Sequence, residues 1–436
     1  MVNGTSAAAV CCSTLSLLLK EKIAFPGSQP YTDSLGSYFS LQEANVKPTC
    51  IASPQNIQDV STIVHALTNP IAPCHFAIRS GGHSSFAGAA NVQNGVTIDL
   101  KGLNSIEINP DGPLMSIGVG ASWGSVYTQL DHYNLSVAGA RAFSQENPDL
   151  LWALRGGTNN FGIVVRVDLQ IFQQGDIWGG VVYHALSTAS QQIEAIYEFN
   201  NDGTYDDYSS LVSSFAYSGA AETSFVINNM EYTKALANPP AFQNSSSIPF
   251  LQSTMRITNV TDLVTETETL QTERGDRQAS ATLTIQSTLE ALNTIVKAWN
   301  TSVPLVQDIP GIIWGIAFES LPSAIYGRHA ETNALGLTER NDTSLMIVLL
   351  SITWDEADDD DRIDKEAKQL IGTLEQELGS LGVLDPFVYL NYAASWQKPI
   401  SSYGEANVKR LLGIQEEYDP HRVFTDYVSG GFKLGD

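Results

Sequence analysis

A strand-like run ending at Ile78 passes into Arg79-Ser80-Gly81-Gly82-His83-Ser84-Ser85-Phe86-Ala87-Gly88, a glycine-rich turn that presents a single imidazole. Glycines let successive backbone N–H groups close on a pyrophosphate with no Cβ in the way, so the stretch can form an anion-binding nest. A lone Gly-Gly-His tripeptide would otherwise read as a turn histidine satisfied by nearby backbone. Near the C-terminus, Tyr389-Leu390-Asn391-Tyr392 offers two phenols and an amide. Read as a strand, it places Tyr389 and Asn391 on one face and Tyr392 on the other. β-Propensity alone would account for tyrosines that merely pack such a strand. A phenol of ordinary pKa near ~10 is a poor base at neutral pH, so a catalytic tyrosine needs a donor or a cation beside it.

Two further motifs compete. Gly120-Ala121-Ser122-Trp123-Gly124 fits the G-x-S-x-G nucleophile elbow and falls between a predicted strand and a predicted helix. A hydrolase built on Ser122 would need an acid and a histidine downstream; His184, His329 and His421 are the candidates, and none stands in a recognisable setting. Gly118-x-Gly120-x-x-x-Gly124 approaches a dinucleotide fingerprint but carries one residue too many before its last glycine. The seven histidines are scattered, with no spacing that would gather a metal.

The elements that must position these groups fall into two textures. Up to Phe172, short strands alternate with helices: a helix over 54–68, strands at 76–79, 95–100 and 115–118, a helix over 123–133, a short helix opened by Pro148, and a strand over 163–172. Beyond Gly175, long β-rich runs at 181–186, 209–217, 225–231, 312–318 and 345–354 predict an antiparallel sheet with helices on one face. One such helix, over 361–381, carries Ile363, Ala367, Leu370, Ile371, Leu374 and Leu378 on a single stripe, and Asp358–Asp361 form an acidic start suited to its dipole.

A chain of 436 residues exceeds one comfortable core, so two domains, or one large composite one, are expected. The formal charge of −24, from 47 acidic against 23 basic residues, repels phosphate backbones and anionic lipid, which disfavours nucleic-acid and membrane partners. The longest apolar run, 345–352, is too short to cross a bilayer. The first 19 residues lack a leading Lys or Arg and are read as a first amphipathic helix rather than a secretory signal. Cys11, Cys12, Cys50 and Cys74 form no CxxC pair and predict one or two disulfides tying down the N-terminal segment. Six Asn-x-Ser/Thr sequons, at Asn3, Asn134, Asn244, Asn259, Asn300 and Asn341, point towards a secreted glycoprotein.

The His83 turn resembles the flavin-attachment loop of the FAD-linked oxidases similar to berberine bridge enzyme, of the fungal type. Further matches are Gly118-Val-Gly-Ala-Ser-Trp-Gly124, Glu146-Asn-Pro-Asp-Leu-Leu-Trp-Ala-Leu-Arg-Gly-Gly157 with Asn160-Phe-Gly162, Tyr389-Leu-Asn-Tyr392 and Tyr403-Gly-Glu-Ala-Asn-Val-Lys409, so the resemblance runs along nearly the whole chain. It implies an α+β fold with a PCMH/VAO-type FAD-binding domain, formed by residues 1–174 with 395–436, and a substrate domain over 175–394. It also implies FAD bound covalently through His83, with Arg79, Ser80, Gly81, Gly82, Ser84, Gly88 and Asn391 around the cofactor. Tyr392 or Tyr389 is then the base that takes a hydroxyl proton as hydride passes from substrate to flavin. Dioxygen is the implied oxidant, the substrate a small-molecule alcohol, sugar or secondary metabolite, and the protein a secreted monomer.

The resemblance breaks at one place. In typical relatives the stretch matching Leu135–Arg141 leads into a second glycine-rich loop, a helix and a strand pair before the Glu-Asn-Pro-Asp motif, and some carry a second covalent cysteine there. Here Arg141 is followed almost at once by Ser144-Gln145-Glu146-Asn147-Pro148. An exon missed in the gene model, a real splice form and a protein without oxidase activity are the competing explanations. The first is the most economical, because the motifs on both sides are intact; the same logic would place the true start upstream. An inactive member that binds no FAD and a Ser122 hydrolase are the alternative functions.

Overall fold

The computed structural model describes residues 6–109, 112–142, 146–200, 203, 205–270, 275–340 and 343–435. The junction residues 143–145, and the sequons at Asn3 and Asn341, lie outside the described residues. The chain divides into two compact units, Met1–Gln173 with Glu273–Asp276 and Glu405–Asp436, and Gln174–Thr272 with Arg277–Gly404.

The first unit opens with the helix Ala7–Leu19, whose N-terminus is capped by the Ser6 hydroxyl. Where the sequence predicts one or two disulfides, two form on it: Cys11 bonds Cys74, and Cys12 bonds Cys50 at the start of the strand Cys50–Ala52. They close separations of 63 and 38 residues, each stabilising by about 4 kcal/mol on the chain-entropy model. A four-stranded sheet follows in the order Ile23–Ala24, Cys50–Ala52, Val96–Asp99, Phe76–Arg79. Val96–Asp99 runs parallel to both of its neighbours, and the strands are largely buried and mostly apolar, with Arg79, Thr97 and Asp99 the buried polar exceptions. A second sheet, antiparallel, has the order Ile106–Ile108, Leu114–Gly118, Arg166–Gln173, Leu135–Ala142.

The second unit is built on a nine-stranded antiparallel sheet. Its main path runs Gln252–Ser253, Ile177–Ala185, Thr223–Tyr232, Ser209–Ser218, Ile313–Leu321, Leu345–Trp354, Arg277–Gln286 and Leu384–Asp385, and Arg256–Thr258 pairs alongside Ile177–Ala185. Alternation along the strands separates two faces. Phe215, Val226, Leu283, Ile316, Val348 and Leu350 point to one, where they form a core with the helices Ala189–Phe199, Leu289–Ser302 and Asp360–Ser380. That is the predicted one-sided arrangement, and the acidic helix start has a structural use: Asp360 accepts from Arg277 and, at 2.9 Å, from the Trp354 indole. The opposite face carries the polar residues Tyr183, Asn229, Glu231, Ser214 and Glu319 by the strand register.

Candidate active site

In the first unit the strand Phe76–Arg79 delivers the turn that carries His83, an exposed imidazole. Gly82 and Gly88 sit at φ +67° and +83°, a conformation that would strain any other residue. At Gly81 a side chain would meet open space, leaving the backbone approachable from outside. Ser80 is exposed and donates to the Val119 carbonyl at 2.5 Å, and Ser84 is half-buried. Arg79 lies wholly buried beneath the turn. Its guanidinium donates to Ser34 and Ser37, reaches Asp99 at 3.5 Å and sits 3.8 Å over the Tyr38 ring, so its contribution is to hold the loop from below.

Two groups that no sequence signal marked secure the same turn. Glu43 is buried and its carboxylate accepts from the backbone N–H groups of Gly88 and Ala90. Burial pushes its pKa above the usual carboxylate range, opposed by those N–H bonds and by the Arg79 charge. Phe39 stacks on His83 with ring centroids 4.1 Å apart and planes 11° from parallel, and its N–H donates to the Gly82 carbonyl at 3.0 Å. Glu43 stands 45 residues from Gly88, so neither periodicity nor a local motif could have found it.

The flanking motifs are structural supports. Gly118 and Gly120 pass so close to the 100–105 backbone that a Cβ would stand 2.2 Å from the Leu103 oxygen and 2.3 Å from the Leu100 oxygen. Ser122 caps the helix Trp123–Asp131: its Oγ accepts from the Ser125 N–H at 3.2 Å and shares a hydrogen bond with the Ser125 hydroxyl at 2.9 Å. Of the histidines the elbow would need, His184 belongs to the second unit, buried with Nδ1 2.9 Å from the Pro249 carbonyl. In this setting Ser122 serves as a helix cap. Asn160, fully buried, ties the Gly157–Gly162 stretch to the C-terminal tail through its own side chain, donating to the Gly157 and Phe432 carbonyls and accepting from the Leu434 N–H. The tail in turn sets Phe432 edge-on to Phe86 in the His83 turn, with centroids 5.8 Å apart.

In the second unit the expected strand through the tyrosines is absent: Leu390–Tyr392 forms a single 3-10 turn. The reason is local. Gln397 takes the place of a strand partner, accepting from the Thr282 N–H at 3.0 Å and donating to the Thr282 carbonyl at 2.6 Å, so the segment docks by a side chain instead of a ladder. The turn brings Tyr389 and Tyr392 together, edge to face at 5.0 Å, where a strand would have separated them. Exposed Asn391 donates to the Tyr389 hydroxyl at 2.8 Å. The Tyr392 hydroxyl donates to Glu319 at 2.7 Å.

Glu319 was not singled out from the sequence, because one acid in an apolar strand carries no motif. Its presence reverses the expected electrostatics. Burial and the neighbouring carboxylate push the Tyr392 phenol far above its ordinary pKa, so phenolate is disfavoured where a cation would have favoured it. Burial also raises Glu319, while the hydrogen bond from Tyr392 draws it partly back down. The pair can pass a proton: Tyr392 accepts one at its oxygen as it gives its own to Glu319.

Comparison with known proteins is consistent with this geometry. Residues 48–142 match the family model described as "FAD binding domain". The "FAD-dependent monooxygenase sdcF" of Emericella nidulans is 32% identical, covering 98% of this chain and 98% of its own length. "Oligopeptidase PhomG'" of Diaporthe leptostromiformis is 35% identical over 95% of this chain, but the chain spans only 36% of that protein. Among solved structures, a Physcomitrella patens protein titled BBE-like 1 superposes with a TM-score of 0.76 at 15% identity, covering 95% of this chain and 97% of the other. The chain therefore has the mixed α+β, PCMH/VAO-type FAD-binding fold. The sdcF alignment runs over 477 positions against 436 residues here, so at least 41 of its positions have no counterpart in this chain.

Proposed function

Because this chain belongs to the FAD-dependent oxidoreductases similar to berberine bridge enzyme, we propose that it oxidises a small-molecule alcohol, sugar or secondary metabolite with FAD attached covalently to His83. The exposed imidazole on an open glycine turn is the observation that carries the cofactor assignment. Flavin, when bound, supplies the hydride acceptor and returns the electrons to dioxygen as hydrogen peroxide. His83 holds it; Ser80, Gly81, Gly82, Ser84 and Gly88 provide backbone that approaches its phosphates and ring; Arg79 and Glu43 keep that backbone in shape. Tyr392 takes the substrate hydroxyl proton and hands its own to Glu319, and Tyr389 with Asn391 orients the substrate oxygen. Residues 1–174 with 395–436 are assigned to the cofactor and 175–394 to the substrate. Four sequon asparagines, Asn134, Asn244, Asn259 and Asn300, are exposed and so accessible to glycans, which supports the reading of a secreted glycoprotein.

A second reading, a member that retains no flavin, is favoured by the positions this chain lacks. The matched FAD-binding segment ends at residue 142, where the expected second glycine-rich loop would begin; an exon missed after Arg141 is the most economical of the three explanations for the gap. Acid precipitation of the expressed protein separates the readings. A yellow precipitate whose flavin stays on a His83 peptide supports the oxidase; a folded, colourless protein supports the second reading, and genomic DNA across the junction then shows whether an exon was skipped.

A further inference from the structure

Phe39 and His83 are 44 positions apart in sequence, yet they form a face-to-face aromatic stack in which Phe39 also closes a backbone bond to the glycine before the histidine. A flat ring stacked 4.1 Å from the exposed imidazole, with planes 11° from parallel, restricts the ring orientations open to His83. The backbone around Phe39 is itself fixed. The Tyr38 hydroxyl donates to the Ala90 carbonyl at 3.0 Å, the Ser40 hydroxyl caps the turn Leu41–Ala44, and Glu43 within that turn grips Gly88 and Ala90. Residues 38–43 thus contact the His83 loop before and after the histidine.

We propose that Phe39 is a positioning residue for flavin attachment, holding the His83 imidazole plane in the orientation from which its ring nitrogen bonds the flavin methyl carbon. The inference rests on the covalent reading above. In the net reaction an imidazole N–H and a methyl C–H are replaced by one N–C bond, and the two hydrogens with two electrons leave on dioxygen as hydrogen peroxide. Phe39 touches neither the bond formed nor the bonds broken; it acts through the ring it stacks on. An alternative in which Phe39 only fills space predicts a change in stability with no change in attachment.

The test uses the full chain produced with limiting riboflavin, then incubated with FAD under air while acid-stable flavin on the polypeptide is followed by in-gel fluorescence. Phe39→Leu is expected to slow attachment roughly 2- to 10-fold, with reversible FAD binding unchanged and with Phe39→Tyr restoring the rate. Equal attachment rates in Phe39→Leu and the wild type would overturn the inference. So would a Phe39→Leu protein that loses reversible binding and attachment in the same proportion. If Phe39→Leu does not fold, Phe39→Met takes its place under the same criteria. Release of all flavin from the wild type by acid, as from His83→Ala, would instead overturn the covalent reading itself.

Discussion

Replacing Asn160 by alanine tests whether the C-terminal tail is held by one buried amide. The Asn160 side chain donates at 2.8 Å to the Gly157 carbonyl, at 2.9 Å to the Thr158 hydroxyl and at 2.9 Å to the Phe432 carbonyl, and it accepts from the Leu434 N–H at 3.3 Å. The Phe432 carbonyl keeps a second donor, the Thr158 hydroxyl at 2.9 Å. Truncation therefore strands two groups, the Gly157 carbonyl and the N–H of buried Leu434. At about 1–3 kcal/mol for each stranded buried group, the loss is about 2–6 kcal/mol, a large part of a domain's stability. Thr158→Val, which leaves Phe432 with its Asn160 bond, is expected to cost about 1 kcal/mol. Urea unfolding gives both values, and carboxypeptidase digestion reports whether the tail has come free. A loss below ~1 kcal/mol in Asn160→Ala, with the tail still protected, would refute the reasoning.

Tyr392→Phe and Glu319→Gln are each expected to lower peroxide formation by about 10²- to 10⁴-fold, with the double variant little worse than either, because they act as one relay; full additivity in a double-mutant cycle would contradict it. Glu319 must be ionised to accept the proton, and burial raises its pKa, so kcat/KM should climb with pH through a limb above the ordinary carboxylate value of ~4.3. That limb should be absent from Glu319→Gln. Glu231 is pushed up to about 7 by burial. Its ionisation is thus harder in the fold than in the unfolded chain, and the fold loses stability as pH rises from the ordinary carboxylate range through about 7. Glu231→Gln should flatten that decline in urea titrations at pH 5 and pH 8. The glycines divide by role. Gly120→Ala drives a Cβ into backbone carbonyls and should cost about 2–3 kcal/mol, whereas Gly81→Ala meets nothing in the protein and should leave the melting temperature in place while weakening reversible FAD binding.

What the sequence disclosed follows the range of each interaction. The strand Leu345–Trp354 and the helix Asp360–Ser380 emerged within a residue of their bounds because their signal is a period repeated several times within the element. Tyr389–Tyr392 misled because aromatic β-propensity has no term for what lies alongside, and what lies alongside is the Gln397 amide rather than a strand. Glu319 and Glu43 were invisible for a different reason. Each is a single acid whose meaning comes from a partner far along the chain, Tyr392 in one case and the Gly88 and Ala90 N–H groups in the other. The His83 turn was legible because glycine spacing states a backbone requirement directly.

The positions absent after Arg141 bear on the two ends of the cofactor unequally. Leu135–Ala142 is the edge strand of its sheet, and its pairing jumps from Val137 opposite Ile171 to Ala142 opposite Leu169, five residues against two. An irregular edge is where an extra strand pair would join. Among the described contacts of the His83 turn, Arg79, Phe39 and Glu43 come from the N-terminal third, Phe432 from the tail, and Ser80 reaches Val119. Those described supports of the His83 turn all lie outside the stretch where the expected second glycine-rich loop would begin. On the proposed covalent reading, the missing positions lower reversible affinity while leaving His83 able to form its bond. If flavin bonds to His83 as proposed, flavin content should depend steeply on the FAD concentration present during folding and then persist through dialysis; flavin lost on dialysis would refute it.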